Sequence, residues 1–160
     1  MRISGVAVGR LKPGPEKIMA GDYLTRAEGF GRKCGVTRIG ITEFSESQAS
    51  SPASRMAEEG KLVAAALPAR VFSIVLDERG KALASEAFAD VLRRHLDGGT
   101  QDMAFLIGGP DGHAPGIREG AGLLLGFGPM TWPHRLVRVM LLEQIYRALT
   151  IIAGHPYHRA

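Results

Sequence analysis

Short β-branched runs alternate with longer helix-compatible segments along the whole chain, and few architectures accept that order. Ile3 to Val8 reads as a strand ended by Gly9. Pro15 opens a helix to about Gly29, because proline at a first helical position gives up a hydrogen bond that would go unmade anyway. Thr37 to Phe44, with Ile39 and Ile41 at alternate positions, predicts a second strand. The stretch SESQASSPAS (45–54) has no apolar side chain larger than alanine and reads as a mobile loop, within which Ser51 caps a helix from Pro52 to about Leu67. Val71 to Leu76 is an apolar run suited to a central strand, with Asp77 to Gly80 as its turn. Ser85 is placed to cap a helix with Phe88, Val91, Leu92 and His95 at helical spacing and Gly98 as its stop. Met103 to Ile107 is the next buried strand, followed by a short helix near Pro115 to Gly120, a strand at Leu123 to Phe127 and a long helix from about His134 to Ala153. The pattern predicts an α/β fold, a parallel-rich sheet with helices on both faces. A chain of 160 residues without an internal repeat should form it as one domain over 1–160.

Ligands of such sheets bind beyond the C-terminal ends of strands, which singles out the turns after Leu76, Ile107 and Phe127. Gly108 to His113 is glycine-rich, so main chain there can approach a ligand without a Cβ in the way; a tight strand-to-helix turn would need the same residues. It is neither GxGxxG nor a phosphate loop ending in Gly-Lys-Ser/Thr, so dinucleotide and nucleoside-triphosphate sites are unsupported. Leu125 to His134 breaks a strand into a loop just before a helix. Its exposed amides and carbonyls could bind an adenine edge, with Phe127, Met130 and Trp132 as apolar walls, or those side chains could simply fill the core.

Charge and thiol content narrow the function classes. Residues 1–132 hold 16 basic and 15 acidic side chains, whereas 133–160 hold four basic residues against Glu143 alone. This C-terminal excess, with His134, His155 and His158, is a candidate phosphate-facing surface, a solvated tail being the plainer alternative. The single Cys34 forms no internal disulfide and no zinc cluster, no apolar stretch approaches the ~18 residues of a membrane span, and the start lacks a signal peptide. A soluble protein of a reducing compartment, with no metal and no membrane partner, is expected. The last helix carries apolar residues on several faces, which predicts a homodimer packed partly through it; Glu143 and Arg147 are spaced to pair on its surface. In the tail, Tyr157 could stack on a base, Arg159 bind phosphate and His158 exchange a proton near neutral pH.

Three segments together, LIGGPDG (106–112), FGPMTWPHRLVRVMLLEQIYRA (127–148) and HPYHR (155–159), resemble the small bacterial 23S rRNA pseudouridine N3-methyltransferases of the H type, in the SPOUT class. ISGVAVGRLK (3–12) and VFSIVLDERGK (71–81) fit as well, so the resemblance runs from the first strand to the last residues. It implies a cytoplasmic homodimer whose C-terminal part is threaded as a trefoil knot, a feature sequence reasoning alone would have opposed because knots are nearly absent from proteins. It also implies S-adenosyl-L-methionine as cofactor and 23S rRNA in the assembled ribosome as substrate. Carried over residue by residue, Leu76, Gly108 and Phe127, Gly128, Pro129, Met130, Thr131 and Trp132 match the cofactor contacts. His134, Arg135, Glu143, Tyr157, His158 and Arg159 match positions near the RNA or the dimer seam, with His155 beside them on the substrate side. Two departures stand out: the 43–54 loop shows no matching motif, and His113 occupies a place where an apolar side chain is expected.

Methyl transfer from a sulfonium asks the protein mainly to align donor and acceptor, while the imide proton at N3 of pseudouridine asks for a base or a nearby cation. His158 is the candidate proton acceptor, and Arg159 or Arg135 the cation that holds phosphate or the developing negative charge. Two other readings are a SPOUT methyltransferase acting on another RNA such as tRNA, and a non-catalytic ribosome-binding α/β module.

Overall fold

A computed structural model describes residues 1–159. Five strands, β1 (Arg2–Val8), β2 (Arg38–Phe44), β3 (Val71–Ala82), β4 (Asp102–Ile107) and β5 (Leu123–Gly126), form one parallel sheet in the order β2-β1-β4-β3-β5. The helices are α1 (Pro15–Gly31), α2 (Pro52–Ala65), α3 (Ser85–Asp97), α4 (Pro115–Glu119) and α5 (His134–Ile152), with a single 3₁₀ turn at Arg32–Cys34. The α/β class and the helices on both faces are as the sequence predicts, because each strand run is too short for a helix and too apolar for a loop.

The central strand β4 is buried at every position, between β1 and β3. Its side chains alternate between two cores. Met103, Phe105 and Ile107 face α1, α3 and α5 with Ile3, Ile74, Phe88, Leu92, Leu141 and Leu149, while Ala104 and Leu106 face α2 and α4 with Val6, Val8, Val63 and Val75. Each buried aliphatic or aromatic side chain contributes about 1.5–3 kcal/mol, so truncating the fully buried Phe105 to alanine would cost about 3–5 kcal/mol.

Three details depart from the sequence expectations. Asp77 to Gly80 do not end β3: the strand bulges outward there and rejoins the sheet, so that both Leu76 and Lys81 pair with Leu125. Gly80 permits this, because a Cβ at that position would lie 2.5 Å from the Leu125 carbonyl carbon and 2.7 Å from the Gly126 nitrogen. Ser85 is the first residue of α3 rather than its cap, which is Ala84; its hydroxyl bonds Gln144 Oε1 on α5 at 2.9 Å instead. The 45–54 segment is tied down rather than loose. Ser47 N–H donates to Glu59 Oε1 at 2.8 Å, its hydroxyl to Glu58, and Arg55 donates to the Ala49 carbonyl at 3.1 Å. Ser51 does cap α2, accepting from Ser54 N–H at 3.1 Å.

Candidate functional site

The C-terminal ends of β3, β4 and β5 lie side by side, so the loops that leave them must meet. They enclose a cavity of about 490 Å³, within the range that takes small-molecule ligands. Its walls include Leu76 to Arg79, Ile107 to His113 and Leu125 to Gly128 with Met130, Thr131 and Trp132. Leu76, Gly108, Phe127, Gly128, Met130, Thr131 and Trp132 are therefore together around one space, as is His134; Pro129 and Arg135 are not among the residues lining it.

Each wall has a local cause. Main chain crowds the glycine turn, since a Cβ on Gly108 would meet the Gly112 carbonyl carbon and oxygen at 2.9 Å. Gly112 turns with φ 84° and Gly128 with φ 99°, conformations that favour glycine. The loop after β5 is closed by Trp132, whose indole N–H donates to the Phe127 carbonyl at 3.2 Å. Met130 is 69% exposed and Trp132 39%, so these side chains do not fill the core but present apolar surface at the cavity. The β3 bulge is braced from α4 by Arg118, whose Nε lies 2.8 Å from Asp77 Oδ2, and the glycine turn from α2 by Arg55 and Asp111 at 2.6 Å. The Arg55 guanidinium holds the Asp111 carboxyl below its ordinary range, chiefly through that hydrogen bond.

His113 lies in the cavity wall, and its Nε2 is buried without a hydrogen-bond partner among the described residues. Burial pushes its imidazole below the ordinary histidine value, against the pull of the Leu106 and Leu76 carbonyls and the Asp77 carboxylate, so the ring is neutral at neutral pH. That is how a histidine stands where an apolar residue is expected. Asp77 and His113 fall within two of the turns that the strand-end argument singles out, although neither is among the residues matched to the cofactor, whereas Arg118 reaches the wall from α4 with no local signal in the sequence.

The tail is elsewhere. His155 packs edge-on to Phe30 at 4.9 Å, and its Nδ1 accepts from Tyr157 N–H at 3.2 Å. The Tyr157 hydroxyl donates to Glu143 Oε1 at 3.1 Å, and burial pushes its pKa up to about 12, with Tyr23 and Glu143 adding to the shift, so it stays a proton donor. His158 uses both ring nitrogens, Nε2 to Glu86 at 2.6 Å and Nδ1 to Arg147 at 3.3 Å, while Arg147 pairs with Glu143 as the spacing predicted. Arg159 is exposed. None of His155, Tyr157, His158 and Arg159 lines the cavity of the same chain. A second, apolar groove of about 600 Å³ between α1, α3 and α5 shares Leu125 to Gly128 with the first, and Tyr157 reaches its edge through its bond to Glu143. Cys34 donates to the Leu149 carbonyl at 3.4 Å, and burial pushes its thiol up, away from the thiolate form. Among the described residues no group of three acidic, histidine or cysteine side chains is gathered that could hold a metal, and no helix is long and apolar enough to cross a membrane.

A parallel sheet whose strand-end loops wall a glycine-lined cavity is the frame of a ligand-binding α/β enzyme. Residues 1–158 match the family described as "Predicted SPOUT methyltransferase", and the chain belongs to that family. It is similar over its whole length to proteins named "Ribosomal RNA large subunit methyltransferase H": 52% identical to that of Rhodopseudomonas palustris strain HaA2 and 51% to that of Bradyrhizobium diazoefficiens, each alignment covering 100% of both chains. The protein of that name from Brucella anthropi is 47% identical over the same extent. A solved SpoU methyltransferase, AviRb from Streptomyces viridochromogenes in complex with AdoMet, aligns over 92% of this chain and 59% of its own with 12% identity and a TM-score of 0.41, too distant for residues to be carried across.

Proposed function

We propose that this enzyme transfers the methyl group of S-adenosylmethionine to N3 of a pseudouridine in 23S rRNA, acting on assembled ribosomes as a homodimer. The observation that carries the reading is the convergence of the three strand-end loops, Leu76, Gly108 and Met130 included, on one cavity in a chain of the SPOUT methyltransferase family. Relatives that match it end to end are named as large-subunit rRNA methyltransferases.

The cavity fits the cofactor. Its volume takes a ligand of that size, Met130 and Trp132 offer apolar surface left open to solvent, and the crowded Gly108 turn brings main chain to the wall. Leu76, Gly108 and the 127–132 loop would hold the adenosyl group, and the cofactor supplies a methyl on a sulfonium that leaves readily. His113, its pKa lowered by burial, would add no positive charge to a wall that receives a sulfonium. A trefoil knot in this region is what the family resemblance implies, and the tight pairing of Gly126 beside Gly80 and Asp77 is compatible with it.

The remaining work falls to side chains on the acceptor side. The tail leaves the far end of α5, and its anchor Glu143 is nine residues beyond His134, about 13 Å along the helix. A second chain seated on the open face of α1 and α5 would bring its own tail toward this cavity. Ile18, Met19 and Leu136 on these helices are exposed by 74, 48 and 40%, an apolar surface that a homodimer would cover. His158 then accepts the N3 proton at Nδ1 once RNA displaces Arg147 from it, while Nε2–H stays on Glu86, and Arg159 stabilises the imide anion. Arg135, exposed at the start of α5, serves phosphate.

Tritiated methyl transfer to ribosomes with and without their pseudouridines tests donor, acceptor and target together. Incorporation into 23S rRNA only when pseudouridine is present is the expected result; label in tRNA, or none, would refute the reading.

A further inference from the structure

The basic C-terminal excess largely disappears on folding. Of the four arginines in 133–160, Arg138 is fully buried and paired with Glu43, and Arg147 is paired with Glu143, which leaves only Arg135 and Arg159 for a partner. The cations that face outward near the cavity come partly from another place, the loop that follows β1.

That loop starts at Gly9, directly beside the first turn of α5: a Cβ on Gly9 would lie 3.5 Å from His134 Nε2. Two buried pins hold it. Arg138 donates to the Gly9 carbonyl at 2.8 Å, and Leu11 N–H donates to Glu43 Oε1 at 3.3 Å, on the same carboxylate that neutralises Arg138. Leu11 itself is buried against Ala20, Val139 and Leu142. With Leu11 inward, Arg10 and Lys12 on either side of it point outward, are exposed, and form no ion pair among the described residues. Arg135 is likewise exposed and unpaired. The acidic groups at this end are Glu43, already engaged by Arg138, Glu46, 4.0 Å from His134 Nε2, Glu16 at the start of α1 and Glu78 in the cavity wall. Arg10, Lys12 and Arg135 are thus exposed cations without an ion-pair partner among the described residues, on elements that meet beside His134 of the cavity wall.

We propose that Arg10, Lys12 and Arg135 form the surface on which the phosphate backbone flanking the target nucleotide rests, the loop after β1 being held in place before RNA arrives. The inference deepens the proposed function and depends on it for the identity of the RNA. Cations held by buried pins lose little further freedom on binding, and each phosphate they neutralise releases counterions, so the contact carries a salt signature that a merely solvated loop lacks.

The test uses the full-length protein and ribosomes lacking the modification. Sedimentation measures binding at several salt concentrations, and methyl transfer gives KM and kcat. Arg10→Ala with Lys12→Ala should raise the ribosome Kd and KM at least tenfold. It should reduce the slope of log affinity against log salt by about 1.4 to 1.8, at roughly 0.7–0.9 per phosphate. Cofactor affinity and kcat should stay within twofold, and Arg10→Lys with Lys12→Arg should restore binding. Arg38→Ala with Arg70→Ala is the control for net charge: both residues are exposed and lie at the opposite, N-terminal end of the strands, at the start of β2 and just before β3. A wild-type slope in the first pair, or an equal loss in the control pair, would overturn the proposal. Because binding is read without turnover, a wild-type protein that binds with this salt signature yet transfers no methyl would count against the proposed function and leave the surface standing.

Discussion

The strand-end cavity and the C-terminal tail carry equally dense sequence motifs, yet the fold treats them in opposite ways. Sheet order alone brings Leu76, Gly108 and Met130 around one space, because β4 and β5 both border β3. The tail is instead bonded back onto Glu143, Arg147 and Glu86 of its own chain, outside that space. The cavity is thus walled by one chain, while in the proposed dimer the residues that act on the acceptor come from the second. On that proposal, topology assembles the donor side and association the acceptor side.

The comparison breaks most completely at Gly108. A valine there would drive its Cβ into the Gly112 main chain, and cofactor affinity should fall at least a thousandfold by calorimetry, about 4 kcal/mol. His158→Ala should separate the two regions: cofactor affinity unchanged within threefold, kcat for ribosome methylation down about a hundredfold, the loss expected of a general base. Single-turnover transfer checks it, and a matching drop in cofactor affinity would mean that the tail belongs to the donor side after all.

A smaller effect is expected at Arg138, which ties α5 to the ends of β1 and β2. Arg138→Leu leaves the Gly9 carbonyl and Glu43 without their cation and should cost about 2–4 kcal/mol in urea unfolding, with the Arg10–Lys12 loop freed as a consequence. The smallest concerns His113. Its folded pKa is depressed, so its contribution to stability is complete above the ordinary value of about 6.5 and is lost as pH falls through that value toward the folded one. Between pH 7.5 and 5, wild type should lose about 2–4 °C more in Tm than His113→Gln, measured by calorimetry. His95 is shifted the same way by burial and is common to both proteins, so the difference isolates His113.

Most of the scaffold was legible in the sequence because it rests on local rules. Pro15 and Pro52 start helices, Ser51 caps one, and the run at 102–107 is apolar throughout because both of its faces are covered. What escaped depends on partners distant in the chain. Asp77 to Gly80 read as a turn, since nothing nearby says that Leu125 will pair on both sides of the bulge. Ser85 read as a cap, but Gln144, 59 residues away, takes its hydroxyl. The Ser-rich segment read as loose, although Glu58 and Glu59 on the following helix hold it. The same limit applies to the tail: residue types suggest RNA chemistry, but its anchors Glu86, Glu143 and Arg147 lie up to 72 residues away, and the cavity it serves in the proposed dimer would be decided by packing between chains.

The most direct measurement mixes two inactive proteins, Gly108→Val and His158→Ala, unfolded together and refolded so that subunits exchange. If the tail serves the other subunit's cavity, a mixed dimer holds one site with both parts intact, and methylation should return to about a quarter of wild type at equal mixing. Mixtures no more active than their components would place tail and cavity in the same chain and contradict the account.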